Sequence, residues 1–288
     1  MTKISILLPV YNDENYITEA ISSVLYNSYK DFELVIINDG SNDKTLEKIH
    51  EFNDSRIKLF SKPNTGLIDS LNYGIDKCQY DIVMRMDGDD VLDINKIRKQ
   101  IHAFESSKAI LLGTDAYLFN QKGVYGEISL PSTHSEIVNL MLQLKPGIIH
   151  GTTMFYKSAI EKVGMYSDNL KHAEDFDLFL RLSKLGRLSN MNEKLYGIRK
   201  HDSNISHTNA KEQFVNTLVA RKYYLTNNYK PISKDLFLNL KSILLKKRFI
   251  RIYLKIHEIV VQKEFISKSN SLKLIPIKVL RRILNFFI

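Results

Sequence analysis

Cysteine is almost absent from this chain: its 288 residues include one, Cys78. A lone thiol excludes an internal disulfide and any cysteine-rich zinc site, and it fits a reducing compartment. Near the end of a helical pattern, Cys78 reads as a small buried hydrophobe rather than a nucleophile. Long apolar runs are missing as well, and no stretch approaches the length of a membrane-spanning helix. The apolar run 4–10 meets Asn12-Asp13-Glu14 at once, without the small-residue cleavage site of a secretory signal. The expectation is a cytoplasmic protein. Internal repeats and low-complexity segments are also lacking, and 44% hydrophobic with 25% charged residues is an ordinary globular composition. Acidic residues are scarce in one place. Residues 211–288 hold 4 Asp and Glu against 17 Lys and Arg, whereas residues 1–210 hold 28 against 24. The net charge of +9 therefore belongs to the C-terminal region, and such asymmetry suits either an anionic partner or a solvated basic helix face.

What is present is an alternation of strand and helix patterns. ISILLPV (4–10), ELVIIN (33–38), RIKLF (56–60) and DIVMRM (81–86) read as strands. Helical spacing follows each: Ile17, Ile21, Val24 and Leu25; then Leu46 and Ile49 behind Ser41-Asn42-Asp43; then Leu67, Leu71 and Ile75; then 94–104. The pattern predicts βαβ units and a mostly parallel sheet flanked by helices, an α/β domain over 1–210. Ligands of such sheets bind beyond the carboxyl ends of the strands. Tyr11-Asn12, Asp39-Gly40-Ser41, Asn64-Thr65-Gly66 and Asp87 to Asp90 all fall there. Residues 109–130 read as two strands around a Lys122-Gly123 turn, and 148–156 as a further β-rich stretch. Glu174-Asp175-Phe176-Asp177 opens a helix, where acidic residues suit the macrodipole. Residues 211–288 read as a basic helical appendage.

Three carboxylates crowd into RMDGDD (85–90). Hard cations such as Mg²⁺ or Mn²⁺ take carboxylate and phosphate oxygens, so Asp87 and Asp89 suit an ion bridging the protein to a diphosphate. A surface turn whose aspartates only cap and turn the chain is the alternative.

Taken together, Pro9-Val10-Tyr11-Asn12, Asp39-Gly40-Ser41, Asn64-Thr65-Gly66, Arg85-Met86-Asp87-Gly88-Asp89-Asp90 and His172-Ala173-Glu174-Asp175-Phe176-Asp177-Leu178 resemble the inverting glycosyltransferases of family 2, with the GT-A fold, over about residues 3–205. The resemblance implies a nucleotide-sugar donor, UDP-linked, and a glycan or lipid-linked acceptor. It implies that Pro9, Tyr11, Asp39, Asn64, Gly66 and Asp87 bind the nucleotide-sugar, with Tyr11 on the base, Asp39 on a ring N–H and Asp87 near the ribose. Asp89 and His201 would hold a divalent cation, Mn²⁺ or Mg²⁺, and Asp175, supported by Glu174, would be the catalytic base. Asn38 departs from the family, which often has aspartate there, and this bears on the choice of nucleotide. Asp177, His150 and His172 read as structural. Arg85 suits either a neighbouring aspartate or the phosphates.

Two rivals are a sugar nucleotidyltransferase and a non-catalytic binding module using the basic tail. The first needs a glycine-rich basic phosphate loop after the first strand, which Pro9-Val10-Tyr11-Asn12 does not provide. Past Pro276, Ile277, Leu280, Ile283, Leu284 and Phe287 share one helical face and Lys278, Arg281 and Arg282 the other. That helix suits an anionic membrane surface, which would make the protein peripheral on the inner face of the cell membrane, or packing on the domain's own core. No recognition motif accompanies the charge, so no nucleic acid is expected.

Overall fold

Near-continuous apolar runs become the inner strands. In the computed structural model, which describes residues 2–201, 210–226 and 230–246, β1 (Ile4–Val10) and β2 (Phe32–Asn38) are buried at every position. Strands covered on both faces must be apolar in this way. β1 pairs in parallel with β2 on one side and β4 (Ile82–Arg85) on the other, and β2 pairs in parallel with β3 (Ile57–Ser61). Alternate residues of β1 face opposite layers. Ile4, Ile6 and Leu8 meet Ile17, Ile21 and Val24 of α1 (Ile17–Leu25). Leu7 meets Leu71 and Ile75 of α3 (Leu67–Lys77), with Val35 and Ile37 of β2 beside it. Each such side chain, fully buried, contributes about 1.5–3 kcal/mol. Gly74 lets α3 close on the sheet: a Cβ there would stand 2.3 Å from Leu7 Cδ1.

Beyond β4 the sheet becomes mixed. β8 (Met154–Tyr156) runs antiparallel to both β4 and β6 (Leu111–Asn120), β9 (Leu188–Arg199) is parallel to β6, and β5 (Val91–Leu92) lies antiparallel on β9. β7 (Gly123–Ile128) completes the expected hairpin with β6. The order is β3-β2-β1-β4-β8-β6-β9-β5. Helices α2 (Thr45–His50), α4 (Lys96–Ser107), α5 (His134–Leu142), α6 (Lys157–Val163), α7 (Glu174–Ser183), α8 (Ala210–Tyr224) and α9 (Lys234–Lys246) complete the chain.

Two boundaries differ from expectation. The stretch 148–156 is a strand only from Met154; it opens with a 3₁₀ turn at His150–Thr152. The Thr152 and Thr153 hydroxyls donate back to the Ile149 and His150 carbonyls, an alternative to the ladder that this residue type offers. The helix expected from 94 begins at Lys96, because the Asp93 carboxylate accepts the Asn95 N–H and holds that residue in a turn.

α8 and α9 build a third apolar cluster, in which Phe214, Leu218, Tyr223, Phe237 and Leu244 pack with Leu144 and Leu170. No helix among the described residues is long and apolar enough to cross a membrane. The amphipathic segment past Pro276 lies outside the described residues.

Candidate active site

Three loops at the carboxyl edge of β1, β2 and β3 are tied together by polar side chains. Tyr11 follows β1 and is 47% exposed, so its ring is open to a ligand. Asn12 adopts a left-handed conformation (φ 55°); its N–H donates to Ser41 Oγ at 3.1 Å, and its Oδ1 accepts the Asn42 N–H at 2.9 Å. Asp39 is buried and accepts the N–H groups of Thr65 (3.0 Å) and Gly66 (2.9 Å) as well as the Lys62 ammonium. Burial alone would raise its pKa, but these donors outweigh it and keep the carboxyl below its usual range. Asp39 thus braces the loop before α3 and does not cap α2. Gly40, at φ 69°, makes the approach possible, since a Cβ would sit 2.7 Å from the Asn64 nitrogen. Asn64 is exposed and Gly66, at φ 96°, immediately precedes α3. Pro9 is buried inside β1, just past the last β1–β4 pair, Leu7 with Arg85.

The three aspartates after β4 divide into separate environments. Residues 87–90 form a turn, in which the Asp90 N–H faces the Asp87 carbonyl at 3.4 Å. Asp87 receives both terminal nitrogens of buried Arg85, and its N–H donates to the Tyr196 hydroxyl at 3.0 Å. Asp90 is turned inward: it accepts the Arg199 N–H at 2.8 Å and the Tyr196 hydroxyl. Burial first, then Asp87 and Asp89, raise its pKa well above the carboxylate range. Asp89 lies beside His201, with Nε2 2.9 Å from Oδ2. The His201 ring stacks on Tyr16 at 4.6 Å, and Arg199 bonds the Asp89 carbonyl at 2.8 Å, so the end of β9 is clamped onto this turn.

Asp13 joins the group, although its role is not legible in the sequence. A Cβ on Gly88 would stand 2.5 Å from Asp13 Oδ2. Burial and the neighbouring Asp89 push its carboxyl up to about 7.

The N-terminus of α7 brings the remaining carboxylates. Glu174 is 8% exposed, and its Oε2 has no hydrogen-bond partner among the described residues. Burial first and then Asp175 push Glu174 up to about 7; burial raises Asp175 too, against the Phe176 N–H that it accepts at 2.7 Å. The 3₁₀ turn at His150–Thr152 touches both sides: a Cβ on Gly151 would stand 2.9 Å from Asp87 Oδ2, and the His150 ring meets Phe179 of α7 at 5.9 Å. Asp177 points away and is paired with Arg181 at 2.6 Å, both nearly inaccessible, as a structural pair should be. His150 bonds the Tyr166 hydroxyl at 2.8 Å, and burial, then Arg85, hold its pKa well below the usual value. His172 adopts φ 63° in the turn before α7.

No group of three or more His, Cys, Asp or Glu side chains among the described residues is arranged to hold a metal by itself. Asp89 and His201 fit a cation that takes its other ligands from elsewhere. The two are joined at 2.9 Å in a hydrogen bond, and hard divalent ions are usually bound through one or two carboxylates plus substrate phosphates.

Residues 5–164 match the family model described as "Glycosyl transferase family 2". The O-antigen biosynthesis glycosyltransferase WbnJ of Escherichia coli is 33% identical over 207 residues, 69% of this chain and 80% of that protein. Across eight curated relatives the chain spans from 31% to 80% of their length. The Staphylococcus aureus TarS 1–349 structure in complex with UDP-GlcNAc shares the fold at a TM-score of 0.65 and 20% identity, covering 86% of this chain and 73% of that one. Mannosyltransferase PcManGT from Pyrobaculum calidifontis, in complex with GDP-Man and Mn²⁺, matches at a TM-score of 0.60 and 14% identity, covering 87% and 69%. The fold is that of GT-A glycosyltransferases, and the chain belongs to glycosyl transferase family 2.

Proposed function

We propose that this glycosyltransferase inverts: it moves a sugar from a UDP-linked donor to a glycan or lipid-linked acceptor, with a divalent cation, in assembly of a bacterial cell-surface polysaccharide. The observation that carries this reading is the 3₁₀ turn at His150–Thr152, which meets Asp87 at Gly151 and α7 at His150 and so sets the Asp87–Asp89 turn beside the helix that begins with Glu174 and Asp175. Tyr11, open at the rim, stacks on the base, while Asp39 with the Asn64–Gly66 loop and the end of β1 at Pro9 shapes the base pocket. Asp87 binds the ribose. Asp89 and His201 would hold the cation, Mn²⁺ or Mg²⁺, which would offset the negative charge of the departing diphosphate.

Asp175 accepts the proton of the acceptor hydroxyl as that oxygen bonds to the anomeric carbon. The bond from that carbon to the diphosphate breaks with its electron pair leaving on the phosphate oxygen. One displacement inverts the centre, and no carboxylate nucleophile is needed. A pKa raised toward the working pH suits a general base, because it strengthens proton acceptance while leaving the group ionised when needed. Support for the donor comes from the UDP-GlcNAc complex of TarS, for the cation from the Mn²⁺ complex of PcManGT, and for the setting from WbnJ.

A screen of UDP-, GDP-, CDP- and TDP-sugars for thermal stabilisation with Mn²⁺ or Mg²⁺, followed by proton NMR of the transferred sugar, tests the reading. A UDP-sugar should stabilise the protein only with the metal, and the product should have the opposite anomeric configuration. Retention of configuration would contradict the mechanism.

A further inference from the structure

Arg85 ends β4 and is 2% exposed. Its backbone N–H donates to the Thr153 carbonyl at 2.9 Å, which fixes it between β4 and β8. Both terminal nitrogens of its guanidinium are committed to the Asp87 carboxylate. Behind Asp87, Gly151 closes the space: a Cβ there would lie 2.9 Å from Asp87 Oδ2 and 2.4 Å from the Tyr196 hydroxyl. Asp87 is thus held at its carboxylate by Arg85 and at its N–H by Tyr196. The 3₁₀ turn that holds Gly151 also reaches α7: the His150 ring bonds the Tyr166 hydroxyl at 2.8 Å and meets Phe179 at 5.9 Å, and the Arg85 charge acts on both Glu174 and Asp175 at the start of that helix. This floor thus sets one guanidinium against three carboxylates, Asp87, Glu174 and Asp175.

We infer that Arg85 is a positioning residue that joins the two halves of the site: its fork fixes Asp87 for the donor, and its charge answers the Glu174–Asp175 pair for the acceptor. The inference rests on the functional reading above. Lysine cannot supply the fork, because it is a point charge without paired donors. The two roles therefore separate by substitution. Arg85→Lys keeps the charge and loses the fork; Arg85→Met loses both.

Two measurements test this. Calorimetry of UDP with Mn²⁺ should show affinity about 10-fold weaker in both variants, the loss of an oriented polar contact. A titration of the Glu174 and Asp175 carboxyl carbons by ¹³C NMR on the ligand-free protein should show the midpoint of the pair unchanged in Arg85→Lys. In Arg85→Met it should rise by about one pH unit, because removing a nearby cation disfavours the charged form. An unshifted titration in Arg85→Met, or parent-like UDP affinity in Arg85→Lys, overturns the inference. Should circular dichroism show Arg85→Met unfolded, UDP affinity in Arg85→Lys decides alone. The carboxyl titration needs no turnover, so it separates this inference from the assignment of Asp175 as base, which fails if Asp175→Asn transfers sugar at the parent rate.

Discussion

At residues 85–90 the physical question is how three carboxylates tolerate one another. Asp87 is answered by a guanidinium, Asp90 by a backbone N–H and a tyrosine hydroxyl, and Asp89 by a histidine at the cleft. The acidic run itself is plain in the sequence. Its partners are not, because Tyr196 and Arg199 lie 109 residues away and carry no local signal of a role there. Asp13 was hidden for the same reason: its closeness to Asp89 depends on Gly88 having no side chain. Asp175 can be tested at this scale. Asp175→Asn is nearly isosteric and leaves the start of α7 intact, so UDP affinity should stay near the parent's. Transfer should fall roughly 10²- to 10⁴-fold, the usual contribution of a positioned base. Glu174→Gln should be milder if Glu174 supports the cleft without taking the proton. Steady-state rates of both variants check this, and a near-parent rate in Asp175→Asn would move the base elsewhere.

Elements that carry their own period were legible; those defined by distant pairing were not. β1 to β4 and α1 to α3 announced themselves through unbroken apolar runs and helical spacing. The β6–β7 hairpin was legible from its turn, but β5 spans two residues and β8 three, too few to show a period, so their antiparallel pairing could not be read in advance. Two buried cations test how elements are locked. Arg181 joins Asp177 within α7 and reaches the Val163 and Met165 carbonyls at 2.8 Å. Arg181→Met strands Asp177 as an unpaired buried charge and should destabilise the fold by about 3–5 kcal/mol in urea titrations. Lys96 of α4 is fully buried against Gln100 and the Thr152 carbonyl, and burial pushes its pKa down to about 7. Between about 7 and 10.4 the unfolded chain holds a proton that the folded one has lost, so stability from this group rises with pH across that window. The advantage of the parent over Lys96→Met should therefore grow from pH 7 to 10 in denaturant unfolding, by up to about 4 kcal/mol. A difference independent of pH would mean that Lys96 stays protonated in the fold.

Over the whole molecule, charge separates from chemistry. The carboxylates of the cleft belong to the first 210 residues, and most of the excess positive charge follows them. If the segment past Pro276 lies on lipid, deleting 273–288 should release the protein from anionic vesicles while leaving UDP binding intact. Each basic residue near such a surface contributes on the order of 1 kcal/mol, so the attachment should weaken in high salt. Full-length protein that ignores anionic vesicles at low salt would point instead to packing on the core. The central claim, that the turn after β4 presents a carboxylate to a cation shared with a nucleotide diphosphate, is reached most directly by calorimetry. UDP would be titrated into the parent protein and Asp89→Ala, each with Mn²⁺ and with chelator. The account predicts that Mn²⁺ strengthens UDP binding to the parent and that Asp89→Ala loses this gain while keeping its fold by circular dichroism. Equal enhancement by Mn²⁺ in both proteins would contradict it.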